Sequence, residues 1–136
     1  MDLARFVTAQ GSVMDAVRRE LRAGSKRTHW MWFVFPQLRG LGRSETARFY
    51  GLDGAAEAEA YLRHPVLGPR LVECTDLADQ ITGRTALQVF GSPDDLKFRS
   101  SMTLFATIEP ARFEPVLQHY FDGVPDHLTL ELLHAA

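Results

Sequence analysis

Lys26, Arg27 and His29 stand directly before the most hydrophobic run of the chain, "WMWFVF", residues 30 to 35. Cations beside tryptophan faces can hold a base or a sugar ring, and a histidine placed there can move a proton near neutral pH. A packing reading fits the same residues: Trp30 and Trp32 as core, and His29 as an interior histidine with both nitrogens satisfied. A second group follows in "RGLGRS", Arg39 to Ser44. Its two glycines let backbone approach a ligand closely. Ser44 opens a predicted helix, and a helix start flanked by Arg39 and Arg43 suits an anion. The spacing is not a dinucleotide fingerprint, since no clear strand precedes it and the third glycine is missing. A plain turn with solvated arginines is the simpler account of these residues.

The third group is "GSPDDLKFRSSMTLFATI", residues 91 to 108. Ser92 and Pro93 read as N-cap and first helical position, and Asp94 and Asp95 suit the positive end of a helix dipole. On a helical wheel Phe98, Met102, Leu104, Phe105 and Ile108 form a broad apolar sector. Arg99, Ser100, Thr103 and Thr107 lie opposite. Asp94, Lys97 and Ser101 fall inside the apolar sector, where unpaired charge is costly. Either Asp94 and Lys97 pair at i, i+3 with the lysine reaching out to water, or these groups line a pocket.

Together the three groups define a candidate site between a helix starting near Thr28 and one starting near Pro93. Its expected occupant is a small anion of the nucleotide or sugar-phosphate kind. Arg39 and Arg43 would hold the charge, Trp32 would stack on a ring, and Gln37 would supply hydrogen bonds. Lys26, Arg99 and Ser101 complete the ligand-binding set. His29, Asp95 and Lys97 are the available acid/base groups; transfer or hydrolysis without metal or cofactor is the chemistry they would suit. Whether the chain is an enzyme is left open by the sequence. The alternative is a protein-interaction module that docks through the basic segment 18 to 48.

Several chemistries are disfavoured. His64, His119, His127 and His134 form no H-E-x-x-H or other close metal motif, and there is no G-x-S-x-G elbow. The lone cysteine, Cys74, allows no internal disulfide and falls on the apolar stripe of a predicted helix. Net charge is −2, but residues 18 to 48 carry eight basic against two acidic side chains and residues 49 to 136 six against thirteen. Such asymmetry attracts an anion, or the two parts attract each other on folding. The acidic total and the lack of a basic reading helix argue against specific DNA binding. No apolar run approaches the roughly 20 residues of a membrane helix, and the N-terminus carries no apolar secretion signal. A cytoplasmic protein is the expectation. Composition does not bear on self-association.

The elements that must position these groups are helices. Leu3, Phe6, Val7 and Gln10 share one short helical face. Ser12 and Asp15 resemble a capping box, after which Val13, Val17 and Leu21 line up until Gly24. Ala55, Ala58 and Leu62 mark a helix ending before Pro65; Leu67 to Ile81 mark a longer one ending before Gly83. Phe113, Val116, Leu117, Tyr120 and Phe121 give the clearest helical period, stopped by Gly123. A final helix is predicted over 126 to 134. The run at 30 to 35 is ambiguous by period, but Thr28 as cap, Pro36 as stop and the absence of a partner strand favour helix. The expectation is one all-α domain over residues 1 to 136, an orthogonal-type bundle of about seven to nine short helices.

The segments "KRTHWMWFVFPQLRGLGRS", "AYLRHPVLGPRLVEC" and "VFGSPDDLKFRSSMTLF" resemble a family of small bacterial proteins catalogued as a domain of unknown function, serial number eighteen-ten. The resemblance runs from about Leu3 to Leu133 and implies a mainly helical domain. It implies no substrate, cofactor or catalytic residue. Some members carry the label calpastatin, although a packed domain differs from an extended, largely disordered inhibitor.

Overall fold

Apolar residues at helical spacing build ten α-helices in a computed structural model that describes residues 2–135. In order they are α1 (Ala4–Gln10), α2 (Met14–Arg22), α3 (Met31–Val34), α4 (Glu45–Phe49), α5 (Ala55–Arg63), α6 (Leu67–Asp79), α7 (Ala86–Phe90), α8 (Asp94–Ala106), α9 (Pro110–Phe121) and α10 (His127–Ala135). A 3-10 turn, Arg39–Leu41, precedes α4. Among the described residues there is no strand, only a single parallel bridge between Leu38 and Leu52. The all-α expectation therefore holds, with seven of the ten helices at least seven residues long.

The core is aromatic and α8 runs through its middle. Phe98 of α8 lies edge-on to Phe35 at 5.0 Å and stacked on Phe90 at 4.4 Å, both common aromatic arrangements. Helix α8 packs most extensively on α9, and also against α3, α5, α7 and α10. Every residue from Ser100 to Ala106 is buried. Ser100 and Thr103, which the wheel sets opposite the apolar sector, are therefore buried as well. Helix α10 covers that side: the Thr103 hydroxyl accepts from the Asp126 backbone N–H at 2.9 Å, and the Ser100 hydroxyl donates to the Asp126 carboxylate at 3.3 Å. Hydroxyls with such partners are cheap to bury.

The helix starts differ from expectation in three places. Ser12 caps nothing, because α2 begins at Met14 with Val13 in the cap position and no side-chain cap bond. Ser92 and Pro93 both stand ahead of α8, which starts at Asp94. The apolar run is helical only over the single turn of α3, and Thr28 is not its cap. Ser44 does cap α4, accepting from the Ala47 N–H at 3.1 Å. Helix α7 has no counterpart in the expected elements. Its signal was the Thr85-x-x-Gln88 capping box, in which each side chain accepts from the other residue's backbone N–H.

Cys74 is buried in α6, and that burial, aided by the neighbouring Glu73 carboxylate, pushes its thiol up to about 12. A maleimide at neutral pH is expected to label the urea-unfolded chain and leave the native chain unmodified, as read by intact mass. Labelling of the native protein would contradict the inert core role.

Candidate functional site

The site begins with a buried carboxylate. Glu20, near the end of α2, accepts from the backbone N–H groups of Arg27 at 2.6 Å and Thr28 at 3.0 Å. It also accepts from the Thr28 hydroxyl at 2.6 Å and the Trp30 indole N–H at 3.0 Å. Burial alone would raise its pKa; the four donors outweigh it and hold the group down to about 2. Segment 25 to 30 is thus wrapped around a charge, and Trp30 is driven fully into the core. The loop is pinned on its other side by the Lys26 N–H, which donates to the Val89 carbonyl at 2.7 Å. Glu20 was legible in principle. It follows Val17 by three residues and so shares the apolar stripe of α2, the same anomaly that marks Asp94 and Lys97.

Asp94, on the first turn of α8, joins two lysines. Its Oδ2 lies 2.8 Å from the Lys26 ammonium and its Oδ1 lies 3.3 Å from that of Lys97. Lys26 also donates to the Thr28 carbonyl at 2.6 Å and sits 5.2 Å from the Trp30 ring centre. Lys97 lies 5.1 Å from the ring centre of Trp32, on whose ring His29 stacks at 6.5 Å. His29 is exposed. Lys97 pairs with Asp94 as its i, i+3 spacing suggests, and its side chain also borders a cleft, which neither Asp94 nor Ser101 lines.

That cleft, of about 550 Å³, lies between the segment around the 3-10 turn, helix α8 and the start of α10. The first wall presents Gln37, Leu41, Arg43 and Ser44. Helix α8 presents Leu96, Lys97, Arg99 and Ser100; Asp126, just ahead of α10, and Leu128 within it complete the wall. Three cations, Arg43, Lys97 and Arg99, therefore meet one carboxylate, Asp126, in this wall. Arg99 is partly committed, donating to the Val124 carbonyl at 2.9 Å and lying 5.3 Å from the Phe121 ring centre. Arg43 is exposed, with no ion-pair partner among the described residues. Lys97 is only partly compensated, because Asp94 sits closer to Lys26.

Gln37, Arg43, Lys97 and Arg99 are thus brought together, while the other candidates lie elsewhere. Arg39 turns away from the cleft: it donates to the carbonyls of Arg48 at 3.0 Å and Gly51 at 3.1 Å and pairs with Asp53. Its guanidinium holds the 48–53 turn in place. Trp32, His29 and Lys26 form the adjoining cluster behind Lys97 and do not line the cleft. Asp95 and Ser101 are also absent from the cleft wall; Asp95 Oδ1 and Ser101 Oγ are buried without a hydrogen-bond partner. Of the acid/base candidates, Lys97 alone borders the cleft.

Asp126, Leu96 and Leu128 belong to the wall and were missed. For Asp126 the available signal was Asp-x-x-Thr, a helix cap: its Oδ2 accepts from the Thr129 N–H at 3.0 Å and hydroxyl at 2.6 Å. A larger groove of about 920 Å³ runs between α8, α9 and α10, with Glu114 the one charged residue among its lining. It lacks the converging charges of the smaller cleft. Among the described residues no group of three or more His, Cys, Asp or Glu side chains could hold a metal. Among the described residues no helix is long and apolar enough to cross a membrane.

The chain matches, over residues 1–133, the family described as "Protein of unknown function (DUF1810)". It is similar to the crystal structure of the conserved hypothetical protein Rv1873 from Mycobacterium tuberculosis, with 54% identity and a TM-score of 0.96. The similarity covers 99% of this chain and 98% of that one. No curated protein matches the chain.

Proposed function

Since the chain belongs to the DUF1810 family, whose description assigns no activity, we propose from the site alone that it binds a small anionic ligand in the cleft between the 37–47 segment and α8. The observation that carries this reading is the convergence of Arg43, Lys97 and Arg99, from segments more than 50 residues apart, on one hollow containing a single carboxylate. A volume of about 550 Å³ fits a small molecule. Charge-assisted bonds from arginine and lysine are the strong ones in such places. The reading is of binding, because His29 and Asp95 lie outside the wall and Lys97 is the one acid/base candidate from the sequence that borders it.

The protein-docking alternative is weakened by where the basic residues of segment 18 to 48 go. Arg18 pairs with Glu73, Lys26 with Asp94 and Arg39 with Asp53, all three acids lying in the acidic part of the chain. Three of the eight basic side chains of that segment are thus consumed internally.

Thermal-shift screening against a panel of anionic metabolites tests the proposal. At least one is expected to raise the melting temperature of the wild type. Arg43→Ala and Lys97→Ala should each weaken that ligand by roughly 10-fold, the worth of one charge-assisted hydrogen bond. The reading fails if no anion stabilises the wild type more than it stabilises both variants.

A further inference from the structure

We infer that the ligand of this cleft is an amphipathic organic acid that also carries a hydroxyl beside its acid group, a deepening that rests on the anion-site reading above. Two observations lead there. The first is the apolar character of the wall between the cations. Leu41, Leu96 and Leu128 line the cleft, and Leu96 and Leu128 are each 58% exposed, among the few large hydrophobic residues left open to water. A sugar phosphate would set hydroxyls against these side chains and lose their water without replacement. An aliphatic or aromatic body covers them and gains from it.

The second observation is the division of labour on Asp126. Its Oδ2 is engaged, taking bonds from the Thr129 N–H and hydroxyl and a share of the Ser100 hydroxyl, whose one proton also faces the Leu96 carbonyl. Its Oδ1 accepts from no described residue. A carboxylate in the wall of an anion site repels the anion, so its presence needs compensation. A ligand hydroxyl donating to Oδ1 supplies it, with the acid group of the same ligand placed on Arg43 and Lys97. Specificity then comes from a half-buried acceptor, open to the cleft, that a hydroxy acid engages and a plain acid leaves to water.

Titration calorimetry with hexanoate, α-hydroxyhexanoate, glucose-6-phosphate and inorganic phosphate separates the possibilities. α-Hydroxyhexanoate is expected to bind about 10-fold more tightly than hexanoate, and hexanoate about 10-fold more tightly than either phosphate. Asp126→Asn keeps a good helix cap, and the cap requires the amide oxygen, so the amide nitrogen takes the place of Oδ1. That variant should bind hexanoate somewhat more tightly, through loss of a repelling charge, while its hydroxyl preference falls below about 3-fold. A merely structural role for Asp126 would not tighten hexanoate while narrowing the hydroxyl preference. Equal binding of hexanoate and its hydroxy derivative overturns the inference, as does a phosphate ester that matches or exceeds hexanoate. If such phosphate binding is still weakened by Arg43→Ala, the anion-site reading survives. Failure of hexanoate and its hydroxy derivative to bind at all also overturns the inference, and the broader anion panel then decides the reading beneath it.

Discussion

Replacing Glu20 by glutamine is expected to cost on the order of 3 kcal/mol of stability, the largest loss from any single polar substitution in this fold. The substitution keeps the volume and removes the charge. The N–H groups of Arg27, Thr28 and Trp30 all converge on Oε1, where an uncharged amide oxygen must now serve them. The Thr28 hydroxyl at Oε2 must turn to accept from the amide NH2, so charge-assisted bonds become weaker neutral ones. The Trp30 indole is fully buried and has no water to turn to. Urea unfolding should show the loss as a lower midpoint, with tryptophan emission reporting the loosened segment 25 to 30. The pH dependence gives a second check. The folded pKa of about 2 lies below the ordinary 4.5, so the stability it contributes is present above pH 4.5 and is lost as pH falls toward 2. The gap between wild type and Glu20→Gln should therefore close across that window. A gap that persists at pH 2 would mean the carboxylate charge is not what holds the segment.

Gly68→Ala is the second large effect. Gly68 is the second residue of α6, where the helix crosses the end of α5, and a Cβ there would meet the Leu62 carbonyl oxygen at 2.1 Å. That oxygen belongs to rigid backbone, so α5 and α6 must separate. The expected loss is about 3 kcal/mol, the upper end of ordinary overpacking. Gly54→Ala is the control. Gly54 is extended, nothing lies within 4 Å of an added Cβ, and the change should stay within about 0.5 kcal/mol. Equal midpoints for the two variants in thermal denaturation would show that the close approach of α5 and α6 is not real.

The helices that could be read from the sequence are those whose burial follows a single stripe. In α9, Phe113, Val116 and Leu117 are buried as the period demands. Helix α8 was harder, because it is covered on nearly all sides and its polar side is closed by α10. A wheel assumes one solvated face, and a central helix has none. The candidate site was legible where a charge interrupts an apolar sector, as at Asp94 and Lys97. It was not legible where a cation is used up by backbone. Arg39 and Arg43 look alike in "RGLGRS", yet one guanidinium is bonded to the 48–53 turn and the other faces the cleft. Only tertiary folding brings the carbonyls of Arg48 and Gly51 to Arg39, and nothing in local spacing announces it. Asp126 was placed at the right helix start, but its second oxygen gained meaning only when α10 met α8.

The cleft wall is drawn from three remote stretches, residues 37–47, 93–100 and 126–128. No fragment of the chain contains it, and fraying of the last helix is enough to dismantle it. Occupancy must therefore report on completed folding: a molecule gripping all three stretches protects the whole chain by mass action, and the C-terminal helix is where amide exchange should slow most when it binds.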